Sequence, residues 1–352
     1  MRARIQALPA IEIVDRCEAV GLATTAARDR VTGVRVLRHA VGGAQVEEAL
    51  DADLVVDATG RGGRTPSWLA TIGYDPPPEE QLQVHLKYAT RHLRRRPGAL
   101  DGVKVVGVGA EPGRPTGLAM FAEEEDRWIL TAFGYDGHHP PTDPEGFLGF
   151  VQTVARPDVF AEIRDAEPLD EIVPYRFRAN LRRRYERLRR FPAGLLVLGD
   201  AVCSLNPIYG QGMSVAALQA AALRKALAGG DRDLARRFFR AAARPVGMAW
   251  GLTVGADLSV PQVQGPRPLP VRVINAYVNR VLTAAERDRM VAERFLRVAA
   301  LQDPVTRLFR LPTALRVLLG NLRRHSTPAT DATLSITPPL SFIADTPSLR
   351  QL

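Results

Sequence analysis

The first fifty residues alternate between apolar and polar positions, as strands with one covered face do. Residues 19–24, 31–38 and 45–49 alternate in this way or carry β-branched side chains, and turn-forming residues separate them. We expect these segments to form a three-stranded antiparallel meander. They are followed by a different pattern, because residues 53–60 form a continuous apolar run that predicts a parallel strand covered on both faces.

Alternation returns over longer stretches between residues 81 and 134. The stiff segment Asp75-Pro-Pro-Pro precedes it. The pattern predicts an antiparallel sheet with one face in solvent, built from residues 82–91, 103–109, 117–123 and 128–134. Two short helices are expected next, over residues 144–155 and 157–166. Asp143 should cap the N-terminus of the first.

A second continuous apolar run, residues 194–200, ends in a Gly-Asp pair. After a loop, a helix is expected over residues 210–228 and ends at Gly229-Gly230. Its apolar stripe should face a sheet and consists of Met213, Ala216, Ala220, Leu223 and Leu227. Beyond Asp231 the pattern is helical, except for a proline-rich interruption over residues 261–270, and residues 326–352 have the composition of a loose tail.

Composition narrows the class of protein. The chain has 352 residues and 46% hydrophobic content, which is enough for a large core. Its two cysteines exclude a disulfide framework and a cysteine metal cluster, and neither a signal peptide nor a membrane-spanning run is visible, so we expect a soluble, cytoplasmic protein. The net charge of +9 comes from scattered arginines, and runs such as Arg182–Arg184 predict solvated faces rather than a specific nucleic-acid site.

The ends of the two apolar runs carry the candidate chemistry. In open α/β sheets, ligands bind beyond the carboxyl ends of parallel strands, where helix N-termini point at the opening. Gly210 and Gly212 would let the backbone approach a ligand, and Asp200 would accept hydrogen bonds from hydroxyl groups. The alternative is a tight strand-to-helix turn in which Asp200 only caps the helix.

Residues 198–213 (Leu-Gly-Asp-Ala-Val-Cys-Ser-Leu-Asn-Pro-Ile-Tyr-Gly-Gln-Gly-Met) resemble the second FAD motif of the flavoprotein monooxygenases related to aromatic hydroxylases and squalene epoxidases. Residues 53–60, with Arg61 behind them, are similar to the Asp-Ala-Thr-Gly segment that closes the FAD domain of the same superfamily. The resemblance covers about residues 1–250.

The resemblance implies FAD as cofactor and NAD(P)H as reductant. Oxygen would react through a C4a-hydroperoxide of the flavin, so no protein side chain is expected to be catalytic. Asp200 would bind the ribityl hydroxyls, Pro207 would pack by the isoalloxazine ring, and the amides near Gly212 and Met213 would stabilise negative charge on the flavin. The implied cofactor-binding set is Thr59, Gly60, Arg61, Gly199, Asp200, Pro207, Gly210, Gln211, Gly212 and Met213. A small hydrophobic or aromatic substrate would lie beneath the sheet of residues 80–135, with Tyr175 and Phe177 as candidates for the pocket wall.

The fold class implied is α/β: a truncated FAD/NAD(P)-binding domain of the glutathione-reductase type, with a β-meander, an inserted antiparallel substrate domain and C-terminal helices. Its domains would be 1–74 with 176–230, 75–175 and 231–325. The family's opening Gly-x-Gly-x-x-Gly unit is missing from the sequence. A misplaced start is the favoured explanation. A missing N-terminal polypeptide partner and a decayed gene remain open.

The reaction stays open at this stage. A monooxygenase that hydroxylates or epoxidises an aromatic, polyketide-like or isoprenoid substrate is the leading hypothesis. A reductase that resembles the geranylgeranyl-lipid reductases, or a non-catalytic remnant that binds a partner, are the alternatives. A halogenase is less favoured because its tryptophan-rich signature is not visible. His138-His139 lacks a third metal ligand, Ser204 is outside any nucleophile elbow, and Cys203 is expected to be a packing residue.

Overall fold

A computed structural model describes residues 2–39, 45–111 and 113–322, so the expected tail at 326–352 lies outside the described residues. In chain order the helices and strands are α1 (Arg2–Gln6), β1 (Cys17–Thr24), β2 (Val31–His39), β3 (Gln45–Asp51), β4 (Val55–Asp57), α2 (Thr65–Thr71), β5 (Glu79–Arg94), β6 (Val105–Val108), β7 (Thr116–Glu123), β8 (Arg127–Gly134), α3 (Pro144–Val154), α4 (Pro157–Asp165), β9 (Val173–Arg183), β10 (Leu195–Val197), β11 (Cys203–Ser204), α5 (Gly212–Leu227), α6 (Leu234–Asp257), α7 (Leu269–Ala285), α8 (Arg289–Ala299) and α9 (Leu311–Leu322).

These elements form two compact units. Unit 1 comprises Met1–Glu80, Leu181–Ser204 and Gly212–Gly247, and unit 2 comprises Gln81–Asn180, Leu205–Gln211 and Met248–Leu352. No helix among the described residues has both the length and the apolar character needed to cross a membrane.

Unit 1 contains the expected meander and the expected pair of parallel strands. Strands β1, β2 and β3 are antiparallel in that order, which confirms the meander. Strands β4 and β10 pair in parallel, with Val55 beside Leu195. Strand β10 is buried throughout, as its apolar run predicts. Strand β4 is not covered on both faces, because Val56 is 37% exposed, so that part of the prediction is wrong.

Unit 2 is built on an antiparallel sheet in which β9, β5, β8, β7 and β6 are neighbours in that order. The four predicted segments all form strands, but the expectation of one solvated face is wrong. Strand β8 carries apolar side chains on both of its faces. Trp128 and Leu130 pack with α3 and α4 on one face. Phe133, with Tyr135 just beyond the strand, packs into a second cluster on the other face. The sheet therefore has an apolar cluster on each face.

The helices begin close to where the sequence places them. Asp143 caps α3 by accepting a hydrogen bond from the amide of Gly146. Helix α5 begins at Gly212 and not at 210, because Gly210 has a left-handed backbone with φ 65°. The proposed inner stripe of α5 is wrong, since Met213 is 85% exposed and the buried residues are Val215, Gln219 and Ala226. Helix α7 already begins at Leu269, which shortens the expected proline-rich interruption.

Candidate functional site

The loop after β4 is closed by a buried carboxylate. Asp57 accepts hydrogen bonds from the amide of Thr59 at 2.9 Å, from its hydroxyl at 2.5 Å, and from the hydroxyl of Thr65. Asp57 and Thr65 are buried, whereas Thr59 is exposed. A side chain added at Gly60 would meet no atom within 4 Å, so the backbone there is open. Asp57 therefore fixes the shape of the loop and leaves Gly60 accessible.

The turn after β10 presents an accessible carboxylate. Gly199 has φ 67°, and its amide donates to Oε1 of the buried Gln219 at 3.0 Å. Asp200 follows and is exposed. The surrounding protein raises the pKa of Asp200 through desolvation, while a hydrogen bond from Ser204 and the charge of Arg61 act in the opposite direction. One hydroxyl donor leaves most of the accepting capacity of an ionised carboxylate free for a ligand.

The N-terminus of α5 lies beside this carboxylate. A Cβ atom placed on Gly212 would be 3.8 Å from Oδ1 of Asp200. The first amides of a helix have no partner inside it and carry partial positive charge. Met213 is the second residue of α5, and its side chain is exposed. Unit 1 therefore combines an acceptor for hydroxyl groups with donors for an anionic or carbonyl oxygen.

Arg183 holds the two loops of unit 1 together. Its guanidinium donates to the carbonyl of Ala201 at 3.1 Å, to the carbonyl of Arg61 at 3.3 Å and to Glu79 Oε1 at 3.0 Å. Ala201 belongs to the turn after β10 and Arg61 to the loop after β4. One buried side chain therefore joins the two segments that the sequence singled out.

The prediction of a solvated face at Arg182–Arg184 is wrong. Arg182 is buried and pairs with Glu186 at 3.2 Å, and Arg184 pairs with the same carboxylate at 2.6 Å and also with Glu80. Burial of these arginines is tolerated because nearby acids neutralise them. The sequence did contain a signal for this burial, because the acidic residues Glu79, Glu80 and Glu186 can neutralise the arginines.

In unit 2, residues 205–211 rest on a buried aspartate that sequence reasoning missed. Asp257, the last residue of α6, is fully buried. Its Oδ1 accepts from the hydroxyls of Tyr135 and Tyr209, both at 2.9 Å, and from Nδ2 of Asn206 at 2.8 Å. Its Oδ2 accepts from Nδ2 of Asn180 at 2.6 Å. We call these residues, together with Tyr88, the Asp257 network.

Hydrogen bonds to the backbone fix the direction of the amides in the Asp257 network. Asn180 Oδ1 accepts from the amide of Asn206 at 2.6 Å, so its NH₂ group must face Asp257. Asn206 Oδ1 accepts from Tyr88 at 2.8 Å and from the amide of Ile208 at 3.3 Å. Burial raises the pKa of Asp257, and the hydrogen bonds from its neighbours oppose that shift. All four donors are uncharged, so no positive charge among them offsets the burial of this carboxyl group.

The remaining predicted site residues divide into accessible and enclosed ones. Pro207 is exposed, and a side chain added at Gly210 would meet nothing within 4 Å. Gln211 is buried inside unit 2, where it donates to the carbonyl of Ala299 and accepts from Thr253, both at 3.0 Å. Tyr175 is exposed, with its ring centroid 6.0 Å from that of Tyr88. Phe177 is enclosed in the core cluster of Phe133 and Tyr135.

Other candidate side chains have structural surroundings. Burial raises the pKa of the Cys203 thiol to about 12, which keeps it protonated and unreactive. Trp128 is fully buried, as expected, and its indole donates to Glu162 at 3.2 Å. Among the described residues, no group of three or more His, Cys, Asp or Glu side chains could hold a metal ion.

Three comparisons with known proteins bear on these units. No protein-family model matches the chain. The curated Protein Rv3254 of Mycobacterium tuberculosis is 36% identical over 282 residues, which is 79% of this chain and 59% of that protein. The chain therefore spans about three fifths of the length of this relative.

Solved structures show the fold. A flavoprotein/dehydrogenase from Cytophaga hutchinsonii has a TM-score of 0.58 at 12% identity, covering 88% of this chain and 69% of that one. The flavin-dependent brominase Bmp2 has a TM-score of 0.53 at 15% identity, covering 87% and 70%. The anhydrotetracycline hydroxylase OxyS from Streptomyces rimosus has a TM-score of 0.50 at 16% identity, covering 84% and 54%. The chain thus has a mixed α/β fold, with antiparallel sheets and helices, similar to that of flavin-dependent halogenases and hydroxylases.

Proposed function

We propose that the chain is the larger part of a FAD-dependent monooxygenase that hydroxylates or epoxidises an aromatic, polyketide-like or isoprenoid substrate, with NAD(P)H as reductant. The observation that carries this proposal is the turn after β10. There an accessible carboxylate, Asp200, lies beside the first amides of α5 and next to an open glycine backbone. Similarity of fold to flavin-dependent enzymes supports the same reading.

The residues of unit 1 suit the polyhydroxyl chain and the polar edge of a flavin. Asp200 would accept hydrogen bonds from ribityl hydroxyls, and the amides of Gly212 and Met213 would donate to the pyrimidine edge. Gly60, with Thr59 and Arg61, would pass near the dinucleotide. Arg183 would keep the two loops at a fixed spacing through its bonds to both carbonyls. When bound, FAD would supply the redox chemistry, accepting electrons from NAD(P)H and activating oxygen.

The segment 205–211 belongs to unit 2 and has a proposed role of its own. Pro207 would pack against the flavin ring, and the Asp257 network would hold the backbone of Pro207–Gly210 in place. The side chain of Gln211 is already bound at both ends within unit 2, so only its backbone is available to a cofactor.

Titration of the purified chain with FAD tests the proposal, followed through the visible absorbance and fluorescence of the flavin. We expect Asp200→Asn to weaken FAD binding about 10- to 100-fold, because a hydrogen bond to a charged acceptor contributes about 1.5–3 kcal/mol. Asp231→Asn is the matched control, since Asp231 is an exposed aspartate in the same unit, and should bind as the wild type does. Equal affinity in both variants would remove Asp200 from the site.

The reaction itself requires a separate measurement on the flavin-loaded protein. A monooxygenase should consume oxygen and NAD(P)H together and give a hydroxylated or epoxidised product. Turnover of an alkene to its saturated product without oxygen would replace the monooxygenase by a reductase.

A further inference from the structure

Helix α9 exposes a row of leucines on one face. Leu311 is 72% exposed, and four more leucines of the same helix are 50–57% exposed: Leu315, Leu318, Leu319 and Leu322. Steps of three and four residues place them on a single face. We call this the α9 leucine face. Contiguous exposed apolar side chains of this kind mark interaction surfaces.

The other side of α9 is packed into unit 2. Val317 is buried in a cluster with Val281 and Ala284 of α7. Nδ2 of Asn321 donates to the carbonyl of Arg280 at 2.9 Å. A side chain on Gly320 would come within 2.9 Å of Cβ of Ala284. These contacts fix the orientation of the helix. The α9 leucine face is therefore directed outward by the packing of the opposite side.

Positive charge surrounds this face in the sequence. Residues 267–324 contain twelve arginines and four acidic residues, a net charge of +8, while the whole chain carries +9. Residues 304–330 contain no acidic residue at all. Arg310 directly precedes the first leucine of the face, and Arg323 and Arg324 directly follow the last. In sequence, the leucines of α9 therefore have basic residues on both sides.

Apolar side chains next to positive charge indicate which kind of partner the α9 leucine face binds. A second copy placed face to face would bring two strongly basic regions together, which electrostatic repulsion opposes. An anionic lipid surface accepts leucines among its acyl chains and pairs with arginines at its headgroups. At twelve residues α9 is about 18 Å long, too short to cross a hydrocarbon core of about 30 Å, so it would lie in the plane of the interface.

We propose that the α9 leucine face binds the surface of membranes that contain anionic lipids. This interaction does not depend on flavin binding.

Sedimentation of the full chain with vesicles tests the proposal. Binding to vesicles of phosphatidylcholine with about 30% phosphatidylglycerol is compared with binding to vesicles of pure phosphatidylcholine. We expect binding at least about tenfold stronger to the anionic vesicles, and weaker at high salt. The double variant Leu315→Gln/Leu319→Gln should lose at least about tenfold in binding, because glutamine keeps the helix and removes the apolar surface.

Two controls keep the outcome interpretable. Leu218→Gln/Leu227→Gln makes the same change at two exposed leucines of α5 and should bind as the wild type does. Arg236→Gln/Arg240→Gln removes two exposed arginines of α6 and should also have little effect. Unchanged melting temperatures show that each variant is folded.

Several outcomes would overturn the proposal. Equal binding of the α9 and α5 leucine variants, loss of binding in the α6 arginine variant alone, or equal binding to both vesicle types would each do so. A dimer in light scattering that Leu315→Gln/Leu319→Gln converts to a monomer would show that a second copy covers the face.

Discussion

Asp200 and Asp257 are two carboxylates with opposite surroundings. Asp200 is exposed, has a hydrogen bond from Ser204 and keeps free capacity as an acceptor. Asp257 is fully buried and accepts four hydrogen bonds from neutral donors. The first is free to accept further hydrogen bonds, and the second is already saturated by the protein. The same type of side chain therefore has the proposed role in binding in one unit and fixes the shape of a turn in the other.

The difference shows where conformational stability and ligand binding are separated. A saturated buried carboxylate cannot be removed without leaving its donors unpaired. An exposed carboxylate can be changed at little cost to folding. Substitutions at the two positions should therefore affect different measurements.

The largest effect is expected from Asp257→Ala. It strands the hydroxyls of Tyr135 and Tyr209 and the amides of Asn180 and Asn206, and each buried unpaired group costs about 1–3 kcal/mol. We expect the free energy of unfolding, measured in urea, to fall by at least about 3 kcal/mol. Asp200→Ala should lower it by less than about 1 kcal/mol. Similar losses in the free energy of unfolding of the two variants would contradict the distinction between a structural and an accessible carboxylate.

A charge exchange within the Asp257 network should recover stability. Asp257→Asn places its NH₂ group against the NH₂ group of Asn180, which the amide of Asn206 holds in that direction. Adding Asn180→Asp supplies an acceptor for that NH₂ group and keeps an acceptor for the amide of Asn206, so the hydrogen bond forms again in the reverse direction. We expect the double variant to regain about 2 kcal/mol of the loss, the size of a coupling between residues in contact. Additive losses in a double-mutant cycle would show that the amides are not fixed as described.

Much of the fold follows from local patterns, and much of the site does not. The meander and the two strands next to the motifs are predictable because their periodicity depends on neighbours in sequence. The Asp200 turn is recognisable because its residues are contiguous. Arg183 and Gln219 escape prediction because their roles depend on partners far along the chain, at Arg61 and Gly199 respectively.

Asp257 did leave a local signal. A carboxylate at the last position of a helix is opposed by the helix dipole, and here it stands in an apolar stretch. Those two disadvantages together indicate a buried acceptor with partners elsewhere. The identity of those partners could not be predicted from the sequence, because they come from three separate places: β9, the residue that follows β8, and the 205–211 segment.

The pH dependence of stability sharpens the comparison. Burial raises the folded-state pKa of Asp257 above its unfolded value of about 3.9, so the folded state binds this proton more tightly. The associated stability is present below the unfolded pKa and is lost as pH rises through the folded pKa. Relative to Asp257→Asn, the wild type should gain about 1.4 kcal/mol on acidification for each unit of raised pKa. Urea unfolding between pH 4 and 7 gives this difference, and a constant difference over the whole range would contradict it.

The smallest effect is expected at Gly210, in the turn that the Asp257 network supports. Its φ of 65° is left-handed, and a side chain there would meet no atom within 4 Å, so Gly210→Ala should cost only the backbone term of about 1–2 kcal/mol. Gly251→Ala is the matched control, because Gly251 lies inside α6 with equally open surroundings. There alanine should instead stabilise by up to about 1 kcal/mol through its higher helix propensity. Thermal unfolding should show melting temperatures that move in opposite directions, whereas an unchanged or raised melting temperature of Gly210→Ala would mean that the turn relaxes out of the left-handed region.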